Sequence, residues 1–495
     1  MRHQSCGSRC PAGCALSRRG FLAATSASAM GAMLLSSCKS TDGEGASSAA
    51  EIRRIKPMGP ASRCTPVVHA CFVRRKEEYG MLWPGAVYDG EAALRKYTAQ
   101  MTAAAAELKI KLNLRAAPVY SAAEADAWLA DATAARPDGL LVVVLDRQLH
   151  AWPTAAKAID TKIPTVVFSP IGTSFTTNTA APAAKAGCFI CSTDDFSQVR
   201  YGMKMLGAMA RMRATRCLVI AGNATVDRQI PDLGIQLHYI AASTFLDMYQ
   251  STPQTPEILA MADDLLHRAT GISGATRQDV INGVKSYVVA RTLLEREQAD
   301  AISMDCLGAL GQTKVSLPCI AWSKMNDDGI PAACEADVGA IATHTLVQYL
   351  FDRPGFQQDP VADTATDTVI GAHCCCPTRL NGFGQKPEPF DIMHHHGMRD
   401  ATTRPTWRLG QRVTLADVVP GSSGKPTQII IAAGAVVDNV AVPPAGGCVV
   451  SVRVKFDGST EVLSFPGFHQ LFFYGDYQRE LVQFCRLANL EAVVA

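Results

Sequence analysis

Glu335, Asp359, His373 and His469 are metal-binding residue types that fall at the ends of apolar segments. Glu335 stands in "PAACEADVGAIAT", a small and apolar stretch that enters a helix. Twenty-four residues later Asp359 follows "RPGFQQ", fourteen further His373 closes the apolar run "DTVIGAH", and His469 lies in "SFPGFHQLFFYGD". Two carboxylates and two imidazoles make a mixed oxygen and nitrogen donor set. Such a set suits a divalent cation of manganese type and leaves coordination positions for the oxygens of a small molecule. Taken singly, each residue has a plainer explanation: an acid favoured by a helix dipole at Glu335, a turn former before Pro360 at Asp359, and hydrogen-bonded core histidines at the other two.

Other reactive residues form weaker patterns. Thirteen cysteines follow from Cys64 onward, an odd number in a chain too large to need stapling. Cys71, Cys217, Cys319 and Cys485 lie in apolar runs, where cysteine acts as a small hydrophobe. Cys188 and Cys191 have CxxC spacing without the second pair of a zinc ribbon. Cys374, Cys375 and Cys376 adjoin His373. Three consecutive thiols do not easily face one ion, so burial is the favoured reading. "MHHHG", with His394, His395 and His396, lies near Pro and Gly and reads as a loop between elements.

The elements that must position these groups change in texture along the chain. From residue 66, "PVVHACFV", "KIKLNL", "GLLVVVLD" and "IPTVVFS" read as strands alternating with helices such as "GEAALRKYTAQMTAAAAEL". A second alternation begins after the helix at 195–212, with "RCLVIAG", "LHYIAAS" and "ADAISMDC" as strands. Uninterrupted apolar strands separated by helices predict open parallel sheets covered on both faces. No glycine fingerprint for a dinucleotide opens either unit, and "GISGAT" lacks the spacing. Past about residue 365, "RLGQRVTLADVV", "TQIIIAAG", "GCVVSVRVKFDG" and "TEVLSF" read as short strands of an antiparallel, barrel-like domain. The fold class is therefore α/β: two open parallel-sheet domains, 64–212 and 213–364, then a β-rich barrel-like domain at 365–495 that ends with the helix "GDYQRELVQFCRLA".

At 495 residues the chain exceeds one hydrophobic core. Its net charge of +2, with both signs scattered, offers no basic stripe and argues against a nucleic-acid partner. Residues 1–38 read as a signal. Ser17-Arg18-Arg19-Gly20-Phe21-Leu22 has the twin-arginine pattern, followed by an apolar run too short and too rich in Ala and Ser to span a membrane. "LSSC" ending at Cys38 is similar to a lipoprotein box, so a lipid tether at Cys38 and a periplasmic or outer-face location are expected, with residues 39–63 as the linker. Because the twin-arginine route moves folded proteins, a metal can be acquired before export.

The order and surroundings of the four candidate residues resemble the family of L-fucose and L-arabinose isomerases. "VIGAH" followed by "CCCP" is similar to the family segment presenting a metal-binding histidine, and "FHQLFFYGDYQRELVQF" to its late histidine segment. "PAACEADVGAIAT" looks like the acid-bearing helix start. The resemblance covers roughly residues 300–495. It implies Glu335, Asp359, His373 and His469 as ligands of Mn2+ or another divalent cation, with Glu335 and Asp359 doubling as catalytic bases. It further implies a homo-oligomer and aldose–ketose isomerisation of a sugar through an enediolate, or a related epimerisation or elimination. A competing expectation is a non-catalytic carbohydrate-binding lipoprotein whose units close on a ligand at the strand ends.

Overall fold

The computed structural model describes residues 59–77, 89–147, 149–395, 398–422, 424–441, 448–458 and 461–495. The twin-arginine segment, Cys38, most of the linker and His396 lie outside the described residues.

Gly139–Val144, "GLLVVV", is buried along its whole length, as a central strand covered on both faces must be. It lies third in a parallel five-stranded sheet ordered Lys111–Leu114, Val67–Val73, Gly139–Val144, Thr165–Ser169, Cys188–Ser192. Alternation along these strands sorts the core. Val68, Ala70, Phe72, Leu141 and Val143 pack under the helices Gly90–Leu108 and Phe196–Ala214. Cys71, Val73, Leu140, Val142 and Val144 face Trp128 and Trp152 from the helices Ala122–Ala135 and Ala151–Asp160.

A second sheet runs in the order Ala332–Cys334, Ala301–Met304, Arg216–Ile220, Gln236–Ile240, Val226–Gln229; the first four strands are parallel and the last is antiparallel. In an open parallel sheet, side chains that serve a ligand sit beyond the carboxyl ends of the strands. Glu335 is the first residue past Cys334, at such an end.

The third sheet closes on itself. Six antiparallel strands pair in the cyclic order Arg412–Val419, Gln470–Tyr474, Phe356–Asp363, Thr368–His373, Val450–Phe456, Gln428–Asn439, and the last returns to the first. Val413, Leu415, Val452, Val454 and Phe472 fill its interior with Trp407. Closure leaves no free edge within the six, although Glu491–Val494 adds a parallel strand outside Gln428–Asn439. The expected α/β layers followed by a β-rich barrel are thus present.

Several local expectations change. The helix expected to start at Glu335 starts at Val338, because the Asp337 carboxylate accepts the Ala340 N–H at 2.8 Å and caps it there. Asp359 lies within the strand Phe356–Asp363, where it pairs with Ala372, instead of forming a turn. "TEVLSF", expected as a strand, instead makes a short 3-10 turn at Val462–Ser464 that packs beside the strand Phe356–Asp363. His394 and His395 end the strand Phe390–His395, which joins Arg399–Pro405 and Gly271–Ser273 in a three-stranded sheet. The expected loop is therefore sheet, because the alternating "FDIMHH" has strand partners on both sides. None of the helices among the described residues is long and apolar enough to cross a membrane.

Candidate functional site

Strand register gathers three of the four predicted residues at one end of the barrel. Asp359 pairs with Ala372, the residue before His373, while Gln358 pairs with Gln470, the residue after His469. One step along the antiparallel ladder places His469 opposite Asp359. Gln358 Nε2 donates to Gln470 Oε1 at 2.9 Å and fastens the two strands below that pair.

Glu335 arrives from the second sheet. The Cys334 N–H donates to Gln357 Oε1 at 2.9 Å, which ties the end of that strand to the barrel strand carrying Asp359. Glu335 and Ala336 then take φ values of 62° and 52°. This left-handed pair is costly for residues with a Cβ, about 1 kcal/mol each, and it turns the chain sharply enough to aim the Glu335 carboxylate into the barrel mouth.

The four groups converge. His469 Nε2 lies 3.3 Å from Asp359 Oδ1 and 3.4 Å from Glu335 Oε2, and His373 Nε2 lies 3.8 Å from Glu335 Oε1. The two imidazole centroids are 5.7 Å apart. Both histidines are buried, while the carboxylates retain access to solvent. Despite their proximity, Asp359 Oδ1 and His469 Nε2 make no hydrogen bond of good geometry. Two buried polar atoms without partners are expensive unless something else meets them, and both lie at the point of convergence. This donor set fits a divalent cation.

A further carboxylate stands behind the cluster. His469 Nδ1 lies 2.9 Å from Asp337 Oδ2, a contact that in the neutral ring would hold the proton on Nδ1 and present the Nε2 lone pair to a cation. The electrostatics follow from this crowding. Burial alone would lower the His469 pKa, but its contacts with Asp337, Asp359 and Glu335 push it up to about 11. Glu335 is held below the usual carboxylate range, chiefly by His469. For Asp337 and Asp359 burial is the largest influence and acts upward, but His469 together with the Ala340 and Gly339 N–H groups at Asp337, and together with His373 at Asp359, leaves both below the usual carboxylate value.

Sequence reasoning missed three participants. Asp337 was visible only as a neighbour of Glu335, with nothing to connect it to a histidine 132 positions later. Gln357 is an ordinary polar residue until its strand meets Cys334. Phe468, 60% exposed, holds its ring 4.5 Å from that of His469. A large exposed aromatic beside a polar cluster is the kind of signal a sequence carries without marking.

No family model matches this chain, and no curated protein matches it. Solved structures that do match include a periplasmic solute-binding protein of an ABC transporter from Actinobacillus succinogenes 130z with bound D-allose, at 14% identity over 48% of this chain and 78% of that one, TM-score 0.18. A glucose-galactose binding protein from Geobacillus stearothermophilus matches at 16% identity over 48% and 78%, TM-score 0.18. A sugar-binding protein of a sugar ABC transporter from Bacillus halodurans matches at 18% identity over 58% and 86%, TM-score 0.17. Scores this low establish no shared fold.

The expected membership of the L-fucose and L-arabinose isomerase family is corrected by these findings. The matching structures are sugar-binding proteins, and neither a family model nor a curated protein supplies the isomerase relationship. The expectation of an aldose–ketose isomerase falls with it. The geometry gives the physical reason. Bases for an enediolate must flank the reacting carbons, whereas Glu335 and Asp359 both converge on one atom, His469 Nε2. The two carboxylates therefore lie on the same imidazole nitrogen and not on opposite sides of a shared space.

Proposed function

We propose that the protein is an exported, non-catalytic carbohydrate-binding protein that holds its sugar at a divalent cation carried by Glu335, Asp359, His373 and His469. One observation carries this reading: Glu335, His373 and His469 bring donor atoms from two sheets within 4.8 Å of one another, Asp359 lies 3.3 Å from His469, and two of these buried polar atoms lack hydrogen-bond partners. A cation of manganese type would be held by these four side chains, with Asp337 orienting His469. Such an ion supplies open positions for hard oxygen ligands, and the paired hydroxyls of a sugar are ligands of that kind.

The surroundings favour a sugar over a simple anion. Two carboxylates at the mouth repel a free anion, while the exposed ring of Phe468 offers an apolar face to the C–H side of a pyranose. Glu335 lies beyond the carboxyl end of a parallel strand, the usual place for a ligand in such sheets. Export by the twin-arginine signal and a lipid tether at Cys38 belong to the same reading, as does assembly into a homo-oligomer.

The test uses mature protein from Thr41, stripped of metal and reloaded with Mn2+. Calorimetry with a panel of aldoses and ketoses should find a sugar that binds only in the presence of the ion, and Asp359→Asn should weaken Mn2+ binding by at least about 100-fold. Sugar binding of equal strength without metal would end the reading. So would conversion of the bound sugar into another, followed by NMR.

A further inference from the structure

His373 turns only one of its nitrogens toward the oxygen-rich cluster. Its Nε2 faces Glu335 at 3.8 Å, and its Nδ1 lies 3.5 Å from the Cys375 sulfur. Around that second nitrogen the chain assembles thiols from three separate segments. Cys334 ends one parallel strand, Cys306 follows the neighbouring strand Ala301–Met304 by two residues, and Cys375 follows the barrel strand Thr368–His373 by two. Donor atoms of Cys334, His373 and Cys375 all lie within 4.8 Å of one another, and the Cys334 thiol contacts both Cys375 and Cys306. Cys306, Cys334, Cys375 and His373 are 6%, 2%, 1% and 5% exposed.

Isolated buried thiols are common and inert, but these are neither isolated nor surrounded only by hydrocarbon. A cavity of about 30 Å3, room for a single ion or water, opens beside them; Cys306, Cys334 and His373 line it with Glu335, His395 and two leucines as well as further thiols, while Cys375 stands behind His373 outside that lining. The chain holds these thiols free, with no disulfide among the described residues. Thiolate and imidazole donors select thiophilic cations, whereas the carboxylates on the far side of the same imidazole select hard ones.

We infer that Cys334, Cys375 and His373 Nδ1 form a second metal site, specific for a thiophilic d10 cation, Zn2+ or Cu+, with the Cys306 thiol hydrogen-bonded to the Cys334 sulfur. The His373 ring then joins a hard site to a soft one. Loading the soft site releases the two thiol protons, and with both sites filled the ring gives up its remaining N–H proton to solvent. No electron changes hands. The site goes beyond the carbohydrate-binding reading and does not require it, since the two share only His373.

The experiment takes reduced, metal-stripped mature protein, saturates it with Mn2+, and titrates it with Cd2+ and separately with Co2+ while recording ultraviolet and visible spectra. One equivalent should produce a thiolate-to-metal charge-transfer band. The band should vanish in Cys334→Ser and Cys375→Ser and persist in Cys319→Ser, whose sulfur lines the cavity outside the donor set. Electron paramagnetic resonance of Mn2+ reports the hard site independently, so failure of either site is seen separately. Competition with a Cu+ chelator or a Zn2+ chelator then tells which ion is retained. If the wild-type protein shows no band, or if mass spectrometry finds Cys334 oxidised to a disulfide with Cys306 in protein purified without reductant, the site is overturned. Both readouts use unmodified protein, so poor folding of a variant does not rescue the idea.

Discussion

His469 Nδ1 and Asp337 Oδ2 are 2.9 Å apart, and the same Asp337 side chain caps the helix Val338–Phe351 through its other oxygen. One carboxylate thereby fixes both the start of a helix and the orientation of an imidazole.

Replacing Asp337 by Asn separates these duties. An asparagine caps a helix nearly as well as an aspartate, so the melting temperature should move little. The charge behind His469 disappears, and Mn2+ affinity should fall about 10- to 100-fold. Calorimetric titration beside a thermal melt checks both; a large loss of stability with unchanged Mn2+ affinity would reduce Asp337 to a cap alone.

In metal-free protein His469 carries a proton up to about pH 11. A group whose folded pKa is raised stabilises the fold fully below its unfolded value, near 6.5, and loses that contribution as pH rises toward 11. The same proton must leave before a cation can take Nε2. Mn2+ affinity should therefore rise about tenfold per pH unit across the working range, levelling off only as pH nears 11. Dissociation constants measured anaerobically at pH 6.5, 7.5 and 8.5 that do not differ would show that His469 is not a ligand.

His344 behaves oppositely. It is 1% exposed inside the helix Val338–Phe351, and neither ring nitrogen has a hydrogen-bond partner among the described residues. Burial, with a smaller push from His373, drives its pKa down to about 3. A depressed value contributes stability above the unfolded pKa near 6.5 and loses it as pH falls toward 3. His344→Leu should raise stability by about 1 kcal/mol at pH 7 and flatten the loss between pH 6.5 and 4. Denaturant melts across that range compare the two proteins, which share every other acid-sensitive group.

Glu335 sits at φ 62°, a conformation glycine takes freely. Glu335→Gly should make the metal-free protein more stable by about 0.5–1 kcal/mol, after the entropy that glycine adds to the unfolded chain, while Mn2+ affinity collapses. Strain retained at a site that would be more stable without it is a mark of function. A variant that is less stable and still binds Mn2+ normally would remove Glu335 from the site.

Phe468→Ala tests the sugar face alone. The exposed ring touches the rim and supplies no donor atom, so Mn2+ binding should be unchanged while sugar affinity drops roughly tenfold. Equal sugar affinity in the variant would place the ligand elsewhere.

Residue type and spacing made much of this legible. "GLLVVV" has the unbroken apolar run of a doubly covered parallel strand and forms one, and the alternating segments after residue 400 form barrel strands. Glu335, Asp359, His373 and His469 stood out because each is polar at the end of an apolar run. Their meeting depends on register, which one strand alone does not contain. The Gln358 to Gln470 pairing crosses 112 residues, and Asp337 reaches His469 only because that pairing is made. The soft side of His373 was obscured for a related reason. Of the adjacent thiols at 374–376 only Cys375 joins the cluster, and the donors that meet it come from residue 334 and from the histidine two positions before it.

The helix Gln478–Ala488 packs against the strand Cys188–Ser192 of the first sheet, where the Gly187 N–H donates to the Arg486 carbonyl at 2.9 Å and the Tyr201 hydroxyl donates to the Glu480 carbonyl at 2.8 Å. That edge of the first sheet therefore waits, during synthesis, for nearly 300 further residues to leave the ribosome. A chain built this way finishes folding only after its early sheet has spent most of translation with one flank uncovered. Its native state is a late, whole-molecule event.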